Sequence, residues 1–191
     1  MIRDLALLGA RLAVGGGMAA HGTQKAFGWF DGPGPENAAK LMHGLGFRPG
    51  ETYAALGSWN EIIAGKLIGW GLGGPIGPAI LISTMIVAAG SVHWSKGFFS
   101  QNGGFELPLI YSAAALTLAA TDYGALSLDE LIGLRKPLRD PIFTTLALAG
   151  AVAAAVVVLN GRDLSTEGPA TPTYRGKNSP LPEHEGETAA P

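Results

Sequence analysis

Five apolar stretches, each near the length needed to cross a bilayer, constrain this chain more than any other feature. A helix rises about 1.5 Å per residue, so about 20 apolar residues traverse the hydrocarbon core. The stretches lie at residues 4–27, 53–72, 75–94, 105–121 and 141–159. Lipid offers no partners to backbone N–H and C=O groups, so such segments must satisfy themselves as helices. Gly73-Gly74-Pro75 leaves room only for a tight antiparallel hairpin between the second and third. Only 15% of the residues are charged, against about 25% in an average soluble domain. The fold class expected is all-α, an integral membrane helical bundle.

Four of the helices and a short amphipathic one, at 35–46, make a bundle over residues 1–135. In the short helix Ala38, Leu41, Met42 and Leu45 share one face, with Lys40 and His43 opposite. It reads as an interfacial helix or a cap over the mouth of the bundle. Residues 136–160 supply a fifth transmembrane helix. Residues 161–191, rich in Pro, Gly and Glu, have no apolar face to bury and are expected to be disordered.

Ionisable residues inside such spans are costly, so they normally face a partner within the bundle. Arg11 interrupts the first span, and His21, Gln24 and Lys25 end it. Let face A be the end of the bundle holding the N-terminus and face B the other. Alternating helices then bring His21, Lys25, Glu61, His93 and Glu106 to the face-B half. These five residues and Arg11 form the candidate polar cluster, with Gln24, Asn60 and Asp129 as secondary candidates. Gly57, Glu61, Gly65, Gly69 and Gly73 recur every fourth residue, a small-residue ridge that lets a neighbouring helix approach Glu61. An Arg11–Glu61 pair is expected across that contact. The bland readings are a purely structural ion pair, a snorkelling Lys25, an interfacial His93 and a helix-capping Glu106.

Several chemistries are excluded or disfavoured. With no cysteine, the chain has no disulfide, thiolate nucleophile or cysteine-ligated cluster. No metal centre is expected, because no helix carries a Glu-x-x-His pair and Lys25 would oppose a cation. There is no phosphate-binding glycine loop and no Gly-x-Ser-x-Gly elbow. A net charge of -2 argues against nucleic acid.

Arg11, the run His21-Gly22-Thr23-Gln24-Lys25 followed by Gly28-Trp29-Phe30, and Glu61 in a glycine-rich second helix resemble the DoxX family. So do His93, Gly97-Phe98-Phe99, Gly103-Gly104-Phe105-Glu106 and Ser127-Leu128-Asp129, and the similarity spans about residues 7–129. The resemblance implies a small four-helix membrane protein. Family members include the membrane subunit of a thiosulfate:quinone oxidoreductase and partners of superoxide dismutase in oxidative-stress resistance. This chain departs from the pattern in lacking a glycine-rich turn before Ser127 and in its fifth span and tail.

Three functions follow as expectations. The first is a redox-linked subunit in a bacterial cell membrane, multi-pass, with its N-terminus cytoplasmic. Its polar cluster would handle quinone or protons, with no covalent cofactor, beside a partner redox enzyme that supplies electrons. The second is a non-enzymatic scaffold that anchors redox enzymes at the lipid surface. The third is a proton-coupled transporter of a small solute, which the lack of an internal repeat disfavours.

Overall fold

The computed structural model describes residues 1–165; the expected tail therefore falls outside the described residues from 166 onward. Among the described residues eight α-helices follow in order: α1 Ile2–Phe27, α2 Gly34–Gly44, α3 Gly50–Trp70, α4 Ile76–Ala88, α5 Glu106–Thr121, α6 Leu128–Leu131, α7 Arg135–Leu138 and α8 Pro141–Asn160. No strand occurs among the described residues. α4 continues through a π-turn at Ala89–His93 and a short 3-10 turn at Trp94–Lys96. The polar connection before the last span contains α6 and α7.

Local chemistry sets the ends of these helices. α3 stops at Gly71, which takes a left-handed conformation (φ 67°) and closes the turn back onto Ile68 and Leu67. α8 starts at Pro141, with the Asp140 carboxylate accepting from the amides of Ile142 and Phe143 at 2.8 and 2.9 Å. The Ser127 hydroxyl caps α6 by accepting from Glu130 N.

α1 lies along α3, α4 packs on α3, α5 and α8, and α2 folds back against α3. Lipid-embedded helices gain little hydrophobic drive from one another, so close packing carries their association. A Cβ on Gly65 would fall 2.5 Å from Gly15 O, and one on Gly22 would fall 2.6 Å from Ser58 O. α1 and α3 therefore touch backbone to backbone, and only glycine allows it. The core collects Met18, Ile68, Leu81, Met85, Leu118 and Tyr123 from α1, α3, α4, α5 and the following loop.

Ile76–Lys96 and Pro141–Asn160 are long and apolar enough to cross a membrane, and α5 is a shorter apolar helix. α8 rests on α4 through Ala151 and Ala155 alone in its buried set, leaving Ile142, Leu146 and Val157 largely exposed. An apolar face of that extent does not stand in water. The protein is an all-α membrane protein.

Candidate functional site

The glycine contact fixes the register of α1 against α3, and the register fixes which charges meet. Gly15 lies opposite Gly65 and Gly69, and Gly22 opposite Ser58 and Ile62. Glu61 is thereby enclosed by α1 near its face-B end, with only 5% of its side chain exposed. Lys25 reaches back about one turn, and its Nζ donates to Glu61 Oε1 at 2.5 Å. Its stem runs to the surface, so the lysine side chain is 33% exposed. The second carboxylate oxygen, Oε2, is buried without a hydrogen-bond partner.

The same register overturns the expected Arg11–Glu61 pair. Arg11 sits opposite Gly71, ten residues further along α3, which at about 1.5 Å per residue is roughly 15 Å from Glu61. Its Nη1 donates to Tyr123 O at 2.9 Å and its Nη2 to Leu126 O at 2.6 Å, while the guanidinium covers the Tyr123 ring. Arg11 is a buried clamp between α1 and the loop after α5. Asp129 plays a matching part on that face. Its two oxygens accept from Gly73 N at 2.9 Å and Gly74 N at 2.8 Å, which holds the α3–α4 turn.

The remaining candidates do not join the pair. His21 is exposed and stands edge-on to Tyr111 of α5, 6.4 Å between ring centres. His93 Nδ1 lies 2.6 Å from Gly103 O, and Glu106 Oε2 accepts from Ser100 N at 2.8 Å. Both residues brace the connection from α4 to α5, which folds on itself through Phe105 N to Gly97 O and Glu106 N to Phe98 O. The sequence places them at the right depth but not on the right element, because the connection uses their polar groups internally. Asn60 is exposed, and Gln24 packs against Gly32. Among the described residues no group of three or more His, Asp or Glu could hold a metal ion.

A cavity of about 540 Å³ opens beside the pair, between α1, α2 and α3. Lys25 and Ser58 line it together with Phe27, Trp59, Lys40 and His43. Its charged residues balance, Lys25 and Lys40 against Glu36 and Glu51. α2 closes over it: a Cβ on Gly50 would sit 2.5 Å from Ala39 O. His43 is held in turn by Arg48, which also pairs with Asp163 at the end of α8. Sequence reasoning placed α2 and its polar face correctly but did not connect Lys40 and His43 with Lys25. The signal available was the six-residue link between Phe27 and Gly34, too short to let α2 leave the end of α1.

The DoxX family model matches residues 6–94. This stretch is a DoxX domain. It runs from α1 to the end of the α4 extension and so contains Arg11, the Lys25–Glu61 pair and the whole cavity. His93 falls at the end of the DoxX match, while Glu106 and Ser127-Leu128-Asp129 lie beyond it. No curated protein and no solved structure matches the chain significantly.

Proposed function

We propose that the protein is a redox-linked membrane subunit whose cavity beneath α2 accepts a quinone headgroup. The Lys25–Glu61 pair at the edge of that cavity carries this reading. A ligand site is typically a mostly apolar space of 300–1,000 Å³ with a few placed polar groups. This cavity has that size, with Phe27 and Trp59 in its walls, and its balanced charge favours a neutral ligand over an anion. A quinone is neutral, flat and carries two carbonyl acceptors. The Lys25 ammonium has three N–H donors, of which Glu61 uses one, so it can also donate to a carbonyl in the cavity. Glu61 then holds a proton-accepting oxygen one hydrogen bond behind.

Reducing a quinone takes two electrons and two protons. The chain has no cysteine for a cluster, so the electrons come from a partner redox enzyme. In this reading α1, α3, α4, α5 and α8 cross the membrane, the N-terminus is cytoplasmic and face B lies on the outer side. The quinone headgroup sits at the boundary while its isoprenoid tail runs in lipid.

The test is extraction of lipids from the purified protein and quantification of quinone per chain. Wild type is expected to retain quinone near one per chain, and Glu61→Gln and Lys25→Met to lose most of it. Ala55→Trp fills the cavity from an exposed α3 position without touching the pair, and is expected to lose quinone while staying folded. Equal quinone in all variants refutes the site. Capture of a redox enzyme by every variant, with no quinone in wild type, favours the scaffold reading instead.

A further inference from the structure

The outer face of α3 plays no part in the reading above, yet it carries the pattern of a helix contact. Leu56, Ile63 and Trp70 recur every seventh residue and are exposed, with Trp59 and Lys66 exposed between them. That repeat is the one by which a second helix lies along a first, knobs into holes. Lys66 stands two residues from Ala64 and two from Ile68, both fully buried, which turns it about 200° away from the core. Asn60, also exposed, flanks Ile63 on the other side.

Where α1 and α3 cross the membrane, as proposed, this face lies deep within it. Asn60 is the central residue of α3, while the centre of α1 falls at Val14 and Gly15, and Gly15 touches Gly65. The midplane therefore falls between Asn60 and Lys66, which are about 9 Å apart along the helix. Lipid at that depth holds no partner for an ammonium or an amide. The hydroxyls of Ser58, Thr84, Ser112 and Thr117 each donate to the carbonyl four residues back. Among the described residues Lys66 has no ion-pair partner and Asn60 no hydrogen-bond partner.

We propose that this face receives a membrane-spanning helix of a different protein, one that carries a carboxylate near its middle. The carboxylate pairs with Lys66, the Asn60 amide bonds the same helix, and Leu56, Ile63 and Trp70 pack against its apolar residues. Charge selects this occupant. A second copy on the same face sets Lys66 against Lys66. The one carboxylate that copy has at this depth among the described residues, Glu61, is 5% exposed and held by Lys25. The polar contacts then fix the partner's register, as a single buried polar residue does in a coiled coil. The surface rests on the proposed crossing of α3 and not on quinone.

The probes are synthetic helices of about 20 leucine and alanine residues, long enough to span, with Glu, Gln or Leu at the centre and a dansyl group at one end. They are mixed with the full chain in phosphatidylcholine vesicles, and energy transfer from the native tryptophans reports association, Trp59 and Trp70 being exposed on this face. Wild type is expected to bind the Glu helix about tenfold more tightly than the Leu helix, the scale of polar contacts between membrane helices. Lys66→Met should abolish that preference, and Asn60→Leu should weaken it about two- to threefold. Lys66→Met should keep its quinone, which separates loss of this surface from loss of the quinone site. Depth is read independently: the chain has no cysteine, so a nitroxide on Ile63→Cys marks one position, expected near the midplane by oxygen against nickel relaxation. A label in water overturns the crossing of α3 and this surface with it. A label at the midplane, with the three helices bound equally or the Glu preference intact in Lys66→Met, overturns the docking surface alone. A dimer of the chain that Asn60→Leu dissociates gives the face to a second copy and overturns the partner.

Discussion

Replacing Lys25 is predicted to destabilise the protein far more than replacing its partner. Glu61 is 5% exposed, accepts one hydrogen bond from Lys25 and has a second oxygen with no partner. Lys25→Met leaves that carboxylate buried and unpaired, a loss of about 3–5 kcal/mol for a broken buried pair. Glu61→Gln leaves the opposite residue stranded, but Lys25 is 33% exposed and lines the open cavity. Its ammonium can swing to water, so the loss should fall to about 1 kcal/mol, nearer that of a surface pair. The double variant Lys25→Met/Glu61→Gln carries no stranded charge and should recover most of the Lys25→Met loss. Unfolding in mixed micelles, followed by tryptophan fluorescence against SDS mole fraction, gives all four stabilities. Equal losses in the two single variants, or a double variant weaker than Lys25→Met, would refute the claim that Glu61 is enclosed and Lys25 is not.

Three further outcomes follow from the packing. Gly65→Leu should cost about 1–3 kcal/mol or more, because its Cβ meets Gly15 O, whereas Gly57→Ala meets nothing within 4 Å and should be neutral or stabilising; one thermal-shift series compares them. Arg11→Met should cost about 2–5 kcal/mol by leaving two buried carbonyls unsatisfied, and Arg11→Lys should rescue only part, as read by the same micelle unfolding. Asp140→Ala should cost about 1 kcal/mol and show as faster amide exchange in the first turn of α8, with α1 and α3 unchanged.

How far the sequence could be read depended on the range of the forces involved. Helix positions follow from local hydropathy and from Gly71, Pro141 and Asp140, so α1, α3, α4, α5 and α8 fall within a few residues of the expected spans. Depth in the bundle also follows from counting residues, which put Lys25, Glu61, His93 and Glu106 toward face B. What counting cannot supply is the register of one helix on another. Arg11 was matched to Glu61 by assuming helix ends level with each other, whereas the glycines slide α1 until Arg11 meets Gly71. Gly15 and Gly22 on α1, laid antiparallel on Gly65 and Ser58, contain that register. His93 and Glu106 failed for another reason: the glycine-rich connection between Lys96 and Glu106 can fold on itself and use the polar side chains that flank it.

The two ends of the bundle handle their charges differently, and this locates its chemistry. On face A the Arg11 guanidinium and the Asp129 carboxylate are bound by backbone carbonyls and amides, which cannot move without unwinding a turn. Charges held that way fix structure. On face B the Lys25–Glu61 pair is held by one side-chain hydrogen bond, with an unused oxygen on one partner and unused N–H donors on the other. Lys25 lines a cavity, and α2 above it is tied down through His43 and Arg48 to Asp163 at the end of α8. A pair able to trade its partner for a ligand group, under a helix fastened at its far end, is what the proposed quinone site rests on. Arg11 and Asp129, by contrast, hold the loop after α5 and the α3–α4 turn in the arrangement that places Glu61 there.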